Sequence, residues 1–198
     1  MAGPDEGRIR FRSDPYEKAD DGKVLHLKGF ASRIEMDSDE ARELSGKLLS
    51  FVVEEAPAEI VWDGDGYAPG SFTQLLPDLV AACGAEGKVR LVAFLREPDQ
   101  QRFLDSWLPE SLPITVYLQD AAIDFTELGG IALRATQSKV VACFGGGAVV
   151  RDEFAKISEA LPGVAFHLFP VSRPTADGSG TEESSLLALR GAPSLVVH

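Results

Sequence analysis

Two short segments carry residue types able to do chemistry. In Trp62-Asp63-Gly64-Asp65-Gly66-Tyr67, two carboxylates stand two residues apart, with glycines that let the chain bend between them. Paired carboxylates hold a magnesium ion or divide nucleophile and acid–base roles, so Asp63 and Asp65 are the candidate catalytic groups. The same pattern also makes an Asp-Gly turn whose side chains bond nearby backbone N–H groups. In Phe144-Gly145-Gly146-Gly147-Ala148, an apolar run breaks on three glycines. Glycine lets the backbone turn sharply and approach a ligand closely. The free N–H groups and positive dipole end of a following helix then favour an anion such as phosphate. Gly145, Gly146 and Gly147 are therefore candidate ligand-binding residues, against the plainer reading of a tight strand–helix turn. The segment is neither Gly-x-Gly-x-x-Gly nor a phosphate-binding loop ending in Gly-Lys-Ser/Thr.

Other candidates sit nearby in sequence. Ser71 and Thr73 can donate to a ligand, although helix capping also accounts for them. Arg151, Arg173 and Lys139 can bring positive charge to the triple glycine, with a helix-surface position as the alternative for Arg151. His26 and His167 fall inside apolar runs, where a histidine is usually packed and hydrogen-bonded. There is no Gly-x-Ser-x-Gly elbow. Cys83 and Cys143 lie in apolar surroundings without an activating neighbour, which reads as two reduced, buried thiols. No metal-ligand spacing is present.

Asp63-Gly64-Asp65-Gly66 resembles the Asp-x-Asp-Gly opening motif of haloacid-dehalogenase-type phosphatases, with Lys139 near a later strand as a second point of likeness. The resemblance implies Asp63 as nucleophile and Asp65 as acid–base. Tyr67 stands where that family carries Thr or Ser. Glycines stand near Phe144 where its late acidic motif would fall, and Asp152 and Glu153 come only further on.

The elements that must position these residues read as alternating strands and helices. Strands are expected at Val24–Phe30, Glu59–Trp62, Val89–Leu95, Ile114–Leu118, Lys139–Phe144 and Val164–Phe169. The first helix carries Ala41, Leu44, Leu48, Phe51 and Val52 at helical spacing, with Asp37 as N-cap and Glu40 three residues on. Ser71 caps a second helix, whose start Pro77 breaks or delays. Pro98 opens a third, running to about Leu108. Asp124 caps a fourth, and Ala148–Leu161 forms a fifth. A short helix at Ser185–Arg190 and a terminal strand at Ser194–Val197 complete the pattern. Runs such as VVACF and VAFHLF are apolar throughout, as strands buried on both faces must be. The expected architecture is one α/β domain with a doubly wound, mostly parallel sheet and helices on both faces, Rossmann-like or flavodoxin-like. Residues 1–22 read as a flexible N-terminal arm, with Arg8 to Arg12 alternating like an edge strand. Residues 23–169 are the core, and 170–198 a polar flap and appendage on the same domain.

Bulk composition narrows the function classes. The 198 residues include 19 Lys and Arg against 31 Asp and Glu, a net charge of −12 spread along the chain. Nucleic acids and anionic membranes need a clustered positive face, so neither is an expected partner. No run reaches the length of a membrane span, and the N-terminus lacks the apolar stretch of a secretory signal, so a cytoplasmic location is expected. No cofactor follows from these residues. The expected function is binding of a small, phosphate-bearing or nucleotide-like ligand where the strands end, since open parallel sheets bind ligands there. The alternatives are a noncatalytic interaction or scaffold domain, with a second copy or another protein as partner, and a magnesium-dependent phosphate-ester hydrolase.

Overall fold

The structure is a computed structural model that describes residues 9–19, 21–83, 89–106 and 112–198. Its sheet has eight strands: β1 (Ile9–Arg12), β2 (Val24–Gly29), β3 (Glu59–Asp63), β4 (Arg90–Arg96), β5 (Ile114–Gln119), β6 (Val140–Phe144), β7 (Ala165–Phe169) and β10 (Leu195–Val197). A separate antiparallel pair, β8 (Arg173–Pro174) and β9 (Thr181–Glu182), forms a small hairpin. The order across the large sheet is β1-β5-β4-β3-β2-β6-β7-β10, and every pairing is parallel.

That order contains one reversal. From β2 to β5 the chain steps outward one neighbour at a time; it then returns to place β6 on the other side of β2. Right-handed crossovers require the helices of the two directions to lie on opposite faces. Accordingly α1 (Asp39–Glu55), α2 (Leu76–Ala82) and Phe103 of α3 (Gln100–Ser106) join one apolar cluster. On the other face, α4 (Phe125–Thr136) packs beside α5 (Ala148–Ala160). The sheet is thus doubly wound, as expected from the sequence, and entirely parallel rather than mostly so.

Local chemistry explains the helices. Ser38 caps α1, its Oγ accepting from the Ala41 N–H at 3.2 Å, with Asp39 and Glu40 in the positive first turn. Ala41, Leu44, Leu48 and Val52 form its buried stripe. The cap expected at Asp37 falls one residue late because Ser38 is the residue with the extended backbone a cap needs. Ser71 caps a 3₁₀ turn at Phe72–Leu75 instead of a helix, and α2 starts with Pro77 in its first turn. Asp124 caps α4 as expected, accepting from Thr126 N–H at 2.8 Å. The third helix is described to Ser106; its expected end near Leu108 lies outside the described residues. Among the described residues, no helix is long and apolar enough to cross a membrane.

The first eight residues of the expected arm lie outside the described residues. The next four form edge strand β1 against β5. Beyond it, Tyr16 donates to the buried Glu59 carboxylate at 2.7 Å, tying this segment to the core. The flap contains the β8–β9 hairpin and leads into a 3₁₀ turn at Ser185–Leu189.

Candidate functional site

Side chains alternate across a strand, so β2 sends Leu25 and Leu27 to the α1 face and Val24, His26 and Lys28 to the α4–α5 face. Lys28 is buried, and a buried ammonium needs anionic partners. It has two. Its Nζ donates to Asp63 Oδ1 at 2.6 Å and to Glu153 Oε2 at 3.0 Å, and both carboxylates are buried as well. Asp63 comes from the end of neighbouring β3, and Glu153 from the second turn of α5. Burial pulls the Lys28 pKa down, but the two carboxylates outweigh it and hold the ammonium above the ordinary lysine range. Burial pushes Glu153 up to about 7; Lys28 opposes the rise and Asp63 adds to it.

Gly129 of α4 makes room for this triad. A Cβ there would lie 2.5 Å from Lys28 Nζ and 2.8 Å from Glu153 Oε1. A side chain at this position would force the Lys28 ammonium and the Glu153 carboxylate to shift.

The triad forms the floor of a cleft of about 360 Å³ at the carboxyl ends of β2, β3 and β6, where the strand order reverses. Ligand sites of open α/β sheets occur at such reversals. Asp65 lies on the acidic side; burial first and then the charge of Asp63 raise it to about 6. Phe30, Phe72 and Phe125 supply apolar walls. Gly147 to Val150, the N-cap and first turn of α5, form the opposite wall, and Gly147 brings no side chain to cap the helix. Arg173 and Glu182 of the hairpin stand at the mouth.

The candidate residues from the sequence therefore divide. Asp63, Asp65 and Gly147 converge on this cleft. Gly145 and Gly146 do not line it; they shape the corner. Gly145 takes φ 69°, where a Cβ would fall 2.3 Å from the Phe30 ring, and its N–H is already bonded to Phe169 O at 2.8 Å. The Gly146 carbonyl accepts from Ser185 N–H at 2.8 Å. Ser71 and Thr73 are also outside it: both are buried, and Thr73 Oγ1 lies 2.9 Å from Ser71 Oγ and 3.0 Å from the Gly66 carbonyl. Arg151 points to solvent beside Asp152 at 3.2 Å, because the inward positions of α5 are Val150, Glu153, Phe154 and Ile157. Lys139 precedes β6 and so stands at the opposite rim of the sheet, far from Asp63 along the strand direction. The lysine beside Asp63 is Lys28 instead.

Sequence reasoning missed Lys28, Glu153 and Glu182. The available signal was Lys28 itself, a lone ammonium in VLHLKG, a run otherwise too apolar for a solvated strand. His26, buried and bonded to Thr136 Oγ1 at 3.0 Å, is held far below the ordinary histidine range by burial and by Lys28. Burial likewise pushes the Cys143 thiol up to about 12. Among the described residues, no group of three His, Cys, Asp or Glu side chains is arranged to hold a metal ion.

Comparison with known proteins gives little beyond this geometry. No protein-family model and no curated protein sequence matches the chain. A crystal structure of TM1055, a structural-genomics target, is similar to it at 18% identity, covering 73% of this chain and 72% of that one, with a TM-score of 0.46. The chain is an α/β protein whose doubly wound parallel sheet opens a charged cleft at its topological switch point.

Proposed function

We propose that the cleft binds a small phosphorylated, nucleotide-like ligand. The observation that carries this reading is the pairing, across one cleft, of the α5 first turn, without a side-chain cap, and a carboxylate floor. The α5 turn, with Arg173 beside it, suits a phosphate. Asp65 suits a hydroxyl or amine donor, and the phenylalanine walls suit a flat apolar ring. A cleft of about 360 Å³ is at the small end of ordinary ligand sites. Convergent charged groups weigh toward this reading over an interaction or scaffold domain. Among the cleft residues, Asp65, raised to about 6, and Glu153, raised to about 7, are the groups suited to proton transfer near neutral pH, and Asp65 is the one not already bonded to Lys28.

The test is a thermal-shift and calorimetric screen of nucleoside mono- and diphosphates and sugar phosphates, run on the native chain and on Ala148→Asp. Ala148 is exposed in the first turn of α5, so an aspartate there favours the helix dipole by about 0.3–1 kcal/mol while repelling a phosphate. The expected outcome is a ligand-induced shift in the native chain that disappears in a variant at least as stable. A screen without a single shift, or equal binding by Ala148→Asp, removes the reading.

A further inference from the structure

Arg173, at the mouth of the cleft, shares one carboxylate with Arg33, which stands next to it but does not line the cleft. Arg173 donates through Nε and Nη2 to Glu182 Oε2 and Oε1 at 3.0 and 3.1 Å, a bidentate pair. Arg33, in the loop between β2 and α1, adds a third bond to Glu182 Oε2 at 3.2 Å. The guanidiniums are themselves fixed. Arg173 lies 4.1 Å over the Phe30 ring and donates to Ser32 O at 3.2 Å, and Arg33 donates to Pro174 O at 3.0 Å. The Glu182 carboxylate is about a third exposed and stands on a two-residue strand, so solvent can reach it. Bidentate arginine is the geometry that reads carboxylate and phosphate alike. Here it is aimed at the cleft wall: Arg173 Nη2 and Glu182 Oε1 each lie 3.7 Å from where a Cβ on Gly147 would stand.

Building on the phosphate-site reading above, we propose that Arg173 and Arg33 form the anion subsite of this cleft and that Glu182 occupies it in the free protein as an internal stand-in for the ligand's phosphate. Binding exchanges one anion for another. The phosphate takes the Arg173 guanidinium, the Glu182 carboxylate moves into solvent, and β9 loses its tie to the two arginines, while Arg173 to Ser32 O and Arg33 to Pro174 O still hold the β8 side. Ligand affinity is thereby held down by the fraction of molecules in which Glu182 fills the subsite.

The probe is inorganic phosphate, titrated by calorimetry into the native chain, Glu182→Gln and the double variant Glu182→Gln/Arg173→Gln. Glu182→Gln is expected to bind phosphate about tenfold more tightly than the native chain, and the double variant to lose that gain. In the native chain, phosphate is expected to speed hydrogen exchange of the amides at 175–182. An unchanged affinity in a folded Glu182→Gln variant, or a gain that survives loss of Arg173, overturns the exchange. Slower hairpin exchange with phosphate overturns it even if a variant fails to fold. In either case the nucleotide screen on the native chain decides separately whether the cleft reading stands: native binding without a Glu182 effect removes the exchange alone, and no binding by any form removes both.

Discussion

The two faces of the sheet are built on opposite terms. Under α1, α2 and α3 lies one continuous apolar cluster, from Leu27 and Phe144 on the inner strands out to Ile114 and Val116. Under α4 and α5 the apolar residues form two clusters, one around Val61, Phe94, Leu128 and Ala132, the other around Cys143, Phe154, Ile157 and Phe166. Between them a polar seam follows β2. Ser138 Oγ donates to Val24 O at 2.6 Å, His26 meets Thr136, and Lys28 joins Asp63 and Glu153. The buried side-chain atoms left without a hydrogen bond among the described residues, His26 Nδ1 and Glu153 Oε1, both belong to this seam. Buried, imperfectly paired polar groups lower stability, and the seam opens directly into the cleft. One face is apolar throughout; the other divides its apolar core to hold buried charge beside the cleft.

Adjacent residues of β2 give the sharpest way to break this contrast. Lys28→Met leaves two buried carboxylates facing each other and is expected to destabilise by about 3–5 kcal/mol. Leu27→Ala, pointing to the other face, is expected to cost about 2–5 kcal/mol through cavity formation. The sizes overlap, but the pH dependence separates them. The Lys28→Met loss is full at pH 8 and shrinks as acid neutralises the carboxylates, whereas the Leu27→Ala loss is flat. Denaturant melts of both variants at pH 5 and pH 8 check this, and parallel curves would dissolve the distinction.

A second comparison uses the native titrations. Glu153 is raised from 4.5 to about 7, and Asp65 from 3.8 to about 6. A raised carboxyl means that the folded state binds more protons than the unfolded state between the two pKa values. These groups therefore lower stability as pH rises through that window. Glu153→Gln removes its share of this loss, so it should gain about 1–3 kcal/mol on the native chain between pH 5 and pH 8. Melts across that range measure the difference; a constant offset would mean that Glu153 is not raised.

The smallest effects come from two helical glycines. Gly46 of α1 has open space where a Cβ would go, so Gly46→Ala should stabilise by about 0.5–1 kcal/mol. At Gly129 of α4 the same substitution meets Lys28 and Glu153, and crowding should outweigh the helix preference for a net loss of about 1–2 kcal/mol. Equal and favourable changes at both sites would show that α4 does not press on the charged triad.

What was legible in the sequence was whatever local chemistry decides. Strand and helix alternation, the Asp124 cap, the delayed start at Pro77 and the placing of Asp63 and Gly147 at strand ends all depend on residues within a few positions of each other. The phase of α5, which would have found Glu153, was not read from the sequence, although its apolar spacing carries it. Val150, Phe154 and Ile157 mark its buried side, which puts Glu153 inward and Arg151 outward. Ser38 and Asp37 are both competent caps, so the one-residue choice between them fell to the chain's approach into α1. The rest required distant partners. The alternation of Arg8 to Arg12 marked an edge strand, but its partner β5, more than a hundred positions away, was not readable from it. Lys28 stands out locally only as a lone ammonium in an apolar strand; its partners were hidden, because folding alone brings Asp63, 35 residues on, and Glu153, 125 residues on, to the same end of β2. Composition and periodicity settle which segments are strands and helices, since those depend on neighbours in the chain. Which charges share a cleft depends on strand order, and only the closed sheet decides that.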